Sequence, residues 1–287
     1  MAEEKKRVAG ISVIAAFFLT GFKLTVGILT GSLGILSEAL HSGLDLVAAV
    51  ITYFSVRISD RPPDANHQYG HGKIENFSAL VETFLLLITC AWIVYEAANR
   101  LMTGNTKIDV NIFSYVVVVT SIVIDYSRSK ALKRVAKKYN SQALEADALH
   151  FSTDIWSSAV VLLGLICAQF GFYFADSIAA LAVALIVLSI SYRLGKRAID
   201  VLLDKTPSDL LRKVIEVLDQ TSEITHYHDL KIRSAGPDTF VEVNIHVNSG
   251  ITIEDAHLIS DHVEQKIATI LQRCTVHVHI EPEQVTP

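Results

Sequence analysis

Six stretches of mostly apolar residues dominate the first two-thirds of the chain, at about 8–29, 33–56, 77–99, 111–127, 146–169 and 175–192. Crossing a bilayer as a helix takes about 20 such residues, so the pattern predicts six transmembrane helices. Beyond Pro207 the pattern changes. Leu210, Leu211, Val214, Val217 and Leu218 are spaced as one face of a helix over 208–220. Phe240 to Val247 alternates as a strand does, after a Gly236-Pro237-Asp238 turn. A second amphipathic helix follows at 252–271, and a closing strand at 276–280. The predicted architecture is a polytopic α-helical membrane domain over 1–206, followed by a small α/β domain over 207–287 with the order α-β-β-α-β and helices layered on a sheet.

Composition supports this division. The 287 residues are 51% hydrophobic and 19% charged, with a mean hydropathy of +0.38, values suited to a polytopic membrane protein. Charge sets the orientation. Lys5, Lys6, Arg7, Arg57, Arg61, Lys73, Arg128, Lys130, Lys133, Arg134, Lys137, Lys138, Arg193, Lys196 and Arg197 fall at the ends of spans on one side. Only Arg100 and Lys107 fall on the other. Fifteen against two predicts that both termini and the C-terminal domain are cytoplasmic. Met1 to Arg7 runs straight into an apolar span without a small-residue cleavage site, so a removed signal peptide is not expected. Cys90, Cys167 and Cys274 are far apart and form no CxxC, which suggests neither a disulfide framework nor a thiolate metal site.

Polar residues inside the apolar runs carry the chemistry. His41-Ser-Gly-Leu-Asp45 interrupts the second run and His150-Phe-Ser-Thr-Asp154 the fifth. Each pair is spaced i, i+4, so an imidazole and a carboxylate share one helix face. Ionisable groups at mid-bilayer cost about 2.5–3.5 kcal/mol each on insertion scales, and four of them call for a shared partner. Two nitrogens and two oxygens suit tetrahedral Zn²⁺ and tolerate Cd²⁺, Co²⁺ or Fe²⁺. One such pair alone could be hydrogen-bonding glue between helices; two matched pairs argue for a single metal site.

Two further clusters lie outside the apolar runs. Between the second and third runs, Asp64, His67 and His71 stand within eight residues, with Gly70 and Gly72 allowing the backbone to bring them together. From Pro207 onward there are thirteen Asp and Glu against six Lys and Arg, with seven of the eleven histidines. Such a domain attracts divalent cations and gives no reason to expect nucleic acid. Its candidates are His228, His246, His257, His277, His279 and Glu281, with His226 and His262 read as surface residues. His277, His279 and Glu281 share a strand face. All four histidines of the first 206 residues, His41, His67, His71 and His150, fall inside a candidate site.

Together, the paired HxxxD motifs, the segment PPDANHQYGHGKIE, the six apolar runs, and HDLKIRSAGPDTFVEV followed by AHLISDHVEQ and VHVHIEP resemble the cation diffusion facilitator family over nearly the whole chain. That resemblance implies a homodimeric secondary transporter, not an enzyme, in the cell (inner) membrane of a prokaryote. It would exchange cytoplasmic Zn²⁺, or Cd²⁺, Fe²⁺, Co²⁺ or Mn²⁺, for protons. His41, Asp45, His150 and Asp154 match the family's transport site, and Asp64, His67 and His71 its loop site. His228, His257, His279 and Glu281 match a regulatory zinc site in a metallochaperone-like domain. Lys73 and Asp204 match a charge interlock between subunits. Asn244 stands where a ligating His is often found, with His246 two residues on along the same strand face, and Glu281 stands where Asp is common. Many bacterial members have Asp where His41 stands, and the His-Asp, His-Asp set leans toward zinc. An intramembrane metallohydrolase would want an HExxH helix and a general base, neither of which is visible. A metal sensor that binds without moving ions fits the cytoplasmic candidates but not four ligands placed in the bilayer.

Overall fold

In the computed structural model the described residues are 2–30, 33–103, 112–169, 174–271 and 273–283. Lys107 and the side chains of Arg100 and Cys167 lie outside them. Six long helices come first: α1 (Ala2–Thr30), α2 (Leu33–Ser59), α3 (Lys73–Thr103), α4 (Ile112–Tyr139), α5 (Gln142–Gln169) and α6 (Phe174–Leu202). Then follow α7 (Ser208–Asp219), β1 (His226–Ala235), β2 (Asp238–Val247), α8 (Ile253–Ile270) and β3 (Cys274–Pro282). The chain divides into two compact units, Met1–Ile199 and Asp200–Pro287.

The first unit has an apolar exterior and a charged interior. Phe17, Phe18, Leu29, Trp92, Leu185 and other large apolar residues are exposed, while Lys5, Lys23, Asp45, Glu75, Glu82, Asp125, Arg128, Asp147, His150 and Asp154 are buried. Lipid explains both halves of this arrangement: apolar side chains face hydrocarbon, and ionisable ones turn inward to find partners. Among the described residues, three helices are long and apolar enough to cross a membrane, over Glu3–Leu29, Ala39–Ser59 and Lys73–Asn99. The helices outrun the apolar stretches that announce them. α4, for example, continues past its apolar run to Tyr139, with Lys130, Lys133, Arg134, Lys137 and Lys138 exposed and Leu132, Val135 and Ala136 buried, as one turn after another of a two-faced helix. One buried ionic cluster joins several of these helices: Lys5 Nζ donates to Asp60 Oδ1 (2.7 Å) and Glu75 Oε1 (3.0 Å). Glu75 also accepts from Ser59 Oγ (2.8 Å) and from Ser141 Oγ.

The second unit is a three-stranded sheet in the order β1-β2-β3, with β1 and β2 antiparallel and β2 and β3 parallel. Ala235 pairs with Asp238 across the two-residue turn, where Gly236 takes φ 59°, a conformation that costs glycine little. The parallel β3 needs a crossover, which α8 supplies. Thr252 caps α8 by accepting from the Asp255 amide (3.1 Å). Val241, Val243, Ile245 and Val247 turn one face of β2 onto Val214, Leu218, Val263 and Ile267 of the helices. The alternate residues Glu242, Asn244 and His246 therefore occupy the face that carries no helix.

Candidate metal sites

The geometry of the first unit brings His41, Asp45, His150 and Asp154 into a ring. His150 Nε2 lies 3.0 Å from Asp45 Oδ1 and 3.7 Å from Asp154 Oδ2; His41 Nε2 lies 3.6 Å from Asp154 Oδ1 and 3.9 Å from Asp45 Oδ1. Donor atoms on a tetrahedral ion with bonds of about 2.0–2.1 Å stand about 3.4 Å apart, so each of these separations is close to what a shared ion requires. His150 is 2% exposed, and Asp45 and Asp154 are 8% each. The shortest contact, His150 to Asp45, is a buried hydrogen bond. Such a bond between an imidazole nitrogen and a carboxylate oxygen holds a proton.

Around this ring lies a set of buried charges that no repeated motif signals. Lys23 donates to Ser42 Oγ (2.8 Å), beside His41, and Thr20 Oγ1 donates to the Ser42 carbonyl (2.9 Å). Arg128 donates to Asp125 Oδ1 (3.2 Å) and to Ser12 Oγ (3.1 Å), and its guanidinium sits 3.5 Å from the centre of the Phe151 ring. Ser12 Oγ also donates to Asp147 Oδ2 (3.4 Å). Glu82 accepts from Thr52 and Ser78. Glu82 is a lone acid in an apolar run, Arg128 counts in the sequence only as a topology-setting charge, and Lys23, Asp125 and Asp147 belong to no motif. Their burial could have been suspected only from their place within, or at the edge of, runs that are otherwise apolar.

The 61–72 loop gathers the second set. Asp64 Oδ1 accepts from the amides of His67 (2.7 Å) and Asn66 (2.9 Å), a side-chain-closed turn. The same oxygen lies 3.2 Å from His67 Nδ1, and Asp64 Oδ2 lies 3.4 Å from His71 Nε2. The His67 amide, with help from the Asn66 amide and the His67 ring, holds the Asp64 carboxyl below its ordinary value. Gly70 turns the chain back at φ 76°.

In the second unit, His228 Nε2 and His246 Nε2 lie 3.4 and 3.5 Å from Glu281 Oε2. His279 Nε2 lies 3.7 Å from Glu281 Oε1, and Asn244 Nδ2 donates to that oxygen (3.3 Å). His257 lies on α8, 3.7 Å from Asp261. His277 is exposed on the sheet face that carries no helix, paired with Glu242. His262 faces Glu223 at 3.3 Å. Lys73 opens α3 in the first unit; Asp204, at φ 56° in the second, lies 3.9 Å from Arg233.

Comparison with known proteins agrees over both units. Residues 9–203 match the family model of the cation efflux transmembrane domain, and residues 206–283 that of the cation efflux protein cytoplasmic domain. The chain is 28% identical over 277 residues to the cation-efflux pump FieF of Shewanella oneidensis, covering 96% of this chain and 93% of the relative. It is 31% identical over 276 residues to an uncharacterized transporter of Methanocaldococcus jannaschii, covering 94% and 96%. It is 29% identical over 276 residues to the magnetosome protein MamB of a Magnetospira species, covering 94% of each.

Proposed function

The chain belongs to the cation diffusion facilitator family of integral membrane cation transporters, and from that premise we propose that it exports Zn²⁺ from the cytoplasm in exchange for protons. In this reading α1 to α6 all span the cell membrane of a prokaryote, both termini are cytoplasmic, and the chain works as a homodimer. The transported ion is held by His41, Asp45, His150 and Asp154. Asp64, His67 and His71 collect it at the loop, Lys73 and Asp204 join the subunits through charge, and the C-terminal domain senses the metal. Cd²⁺, Fe²⁺, Co²⁺ and Mn²⁺ are competing substrates.

The observation that carries this reading is the 3.0 Å bond between His150 Nε2 and Asp45 Oδ1. Both atoms are ligand atoms of the proposed site, and the bond between them needs a proton. An ion that takes both atoms displaces that proton: from a neutral imidazole it moves to Nδ1, and from an imidazolium it leaves the site, because metal ligands bind deprotonated at the ligating atom. A proton that returns His150 to the imidazolium weakens the ion's hold, which supports exchange at this site. Histidine titrates near neutrality, where such a trade is sensitive to physiological pH. Each pH unit of gradient contributes about 1.4 kcal/mol per proton, and each 100 mV about 2.3 kcal/mol per charge. A preference for zinc follows from the second imidazole, His41, since borderline nitrogen ligands suit Zn²⁺ better than Mn²⁺.

Proteoliposomes carrying separate zinc and pH reporters test the proposal. Wild-type protein should move Zn²⁺ and protons in opposite directions, and Asp154→Ala should lose both fluxes while the protein remains folded. Full flux in that variant would overturn the site; zinc binding without flux in the wild type would favour a sensor.

A further inference from the structure

The outward face of α4 changes character along its length without changing direction. Val116, Val119, Val123 and Tyr126 are exposed on it, at 48, 48, 62 and 58%, and Lys130, Lys133, Arg134 and Lys137 are exposed further along the helix. With 3.6 residues per turn, all eight fall within one sector about 100° wide. An apolar, lipid-facing stripe therefore runs on as a basic one. The other cations of this helix point elsewhere and find partners in the protein. Arg128, on the opposite side, is buried and bonded to Asp125 and Ser12, and Lys138, beyond the edge of the sector, reaches Glu4 of α1 at 2.6 Å. Among the described residues no carboxylate lies within ion-pair distance of Lys130, Lys133 or Lys137.

We propose that this basic stripe is a docking surface for the headgroups of anionic phospholipids in the leaflet around α4. The inference rests on the proposed reading in one respect, that α4 spans the membrane. Tyr126 marks the boundary, since aromatic rings gather at headgroup level. Lys130 Nζ lies 5.8 Å from the centre of that ring, which keeps its charge beside the boundary. At 1.5 Å per residue, Lys130, Lys133 and Lys137 stand about 6, 10 and 16 Å beyond Tyr126 along the helix. The headgroup zone of one leaflet is about 5–8 Å deep. Lys130 and Lys133 reach it by laying their aliphatic stems back along the helix, and Lys137 lies within about one Debye length, 8 Å, of its outer edge. A phosphodiester supplies what the protein does not offer these lysines, a negative charge with acceptor oxygens, and the acyl chains of the same lipid fit the valine stripe above. Charge and apolar surface thus stand in the order that one lipid molecule presents them.

Quenching of tryptophan fluorescence by brominated lipids tests it in the full chain reconstituted in vesicles. Trp92→Phe and Trp156→Phe remove the two native tryptophans, and Val123→Trp places one on the lipid-facing sector, about one turn before Tyr126. Brominated phosphatidylcholine should quench it, and brominated phosphatidylglycerol should compete for the same position about fivefold more strongly or better, the gain from one basic residue near an anionic surface. Lys130→Gln, Lys133→Gln and Lys137→Gln together should bring that ratio to about one, while Lys213→Gln, exposed on α7 of the second unit, should leave it unchanged. Absence of quenching by either lipid would take α4 out of the bilayer, and the spanning reading would fall with the proposal. Quenching by phosphatidylcholine with no preference for phosphatidylglycerol, or a preference that survives the triple substitution, would overturn the headgroup surface alone. Circular dichroism checks that every variant keeps its helices.

Discussion

Replacing Lys5 with methionine isolates the ionic cluster that joins α1 to the ends of α2 and α3. Lys5 is fully buried, as is Glu75, and the Asp60 side chain is 5% exposed. The substitution keeps much of the side-chain volume but removes the cation that bonds both of these carboxylates. Glu75 retains Ser59 and Ser141 as donors, but hydroxyls do not neutralise a buried charge. Breaking such a pair from one side costs about 3–5 kcal/mol. In a unit of this size 1 kcal/mol corresponds to about 2–4 °C in Tm, so Lys5→Met should lower the midpoint by about 6–20 °C. The chain's two tryptophans, Trp92 and Trp156, both lie in the first unit. Tryptophan fluorescence during heating in detergent therefore reports on that unit alone. The triple variant Lys5→Met, Asp60→Asn, Glu75→Gln should recover most of the loss, because neutralising every partner removes the stranded charge. A drop of under about 2 °C in the single variant, or a triple variant no more stable than the single one, would refute the reasoning.

Other substitutions probe packing, capping and titration. A Cβ added at Gly195 would stand 2.9 Å from Thr83 Cγ2, so Gly195→Ala should destabilise by about 1–3 kcal/mol through overpacking; Thr83→Ser, which deletes that methyl, should restore the same fluorescence midpoint. Thr252→Ala removes the cap of α8 and should cost about 1 kcal/mol, seen as faster hydrogen exchange at the Asp255 amide. Because Asp64 is held below its ordinary value, its turn contributes stability that is present above the unfolded value of about 3.9 and is lost as pH falls through the lower folded value. The Asn66 and His67 amides should therefore keep their protection at pH 4 and lose it only on further acidification, as measured by exchange-sensitive NMR.

What could be read from sequence depended on whether a contact is encoded locally. The i, i+4 interval of His41–Asp45 and its repeat at His150–Asp154 fix two half-sites by helix geometry alone, and two costly pairs in hydrocarbon imply that they meet. The α-β-β-α-β order was likewise legible from local periodicity. The bonds among Lys5, Asp60 and Glu75, or Ser12, Arg128 and Asp147, join single polar residues up to 135 positions apart. Each such residue looks incidental until helix packing shows its partner. Lys5 illustrates the difficulty: it counts as a topology-setting positive charge in the sequence, yet in the fold its charge is spent on two buried carboxylates.

His226 shows the same limit on a smaller scale. In sequence it stands two residues before His228 at the start of a strand, far from any other candidate, and a surface role is the economical reading. Its placement beside His246 depends on β-sheet register, and register depends on a bulge at Asp229 that neither composition nor alternation reveals. Moving the pairing of β1 against β2 by one residue would send His226 and His228 to the opposite face of the sheet. Asp229→Gly would accept φ 53° with less strain than aspartate does and keep the bulge, but it would remove the carboxylate that faces His228 Nδ1. This variant should therefore keep the register of β1 on β2, seen as unchanged hydrogen-exchange protection of the strand amides. Loss of that protection would mean that the Asp229 side chain, and not its backbone conformation, holds the register.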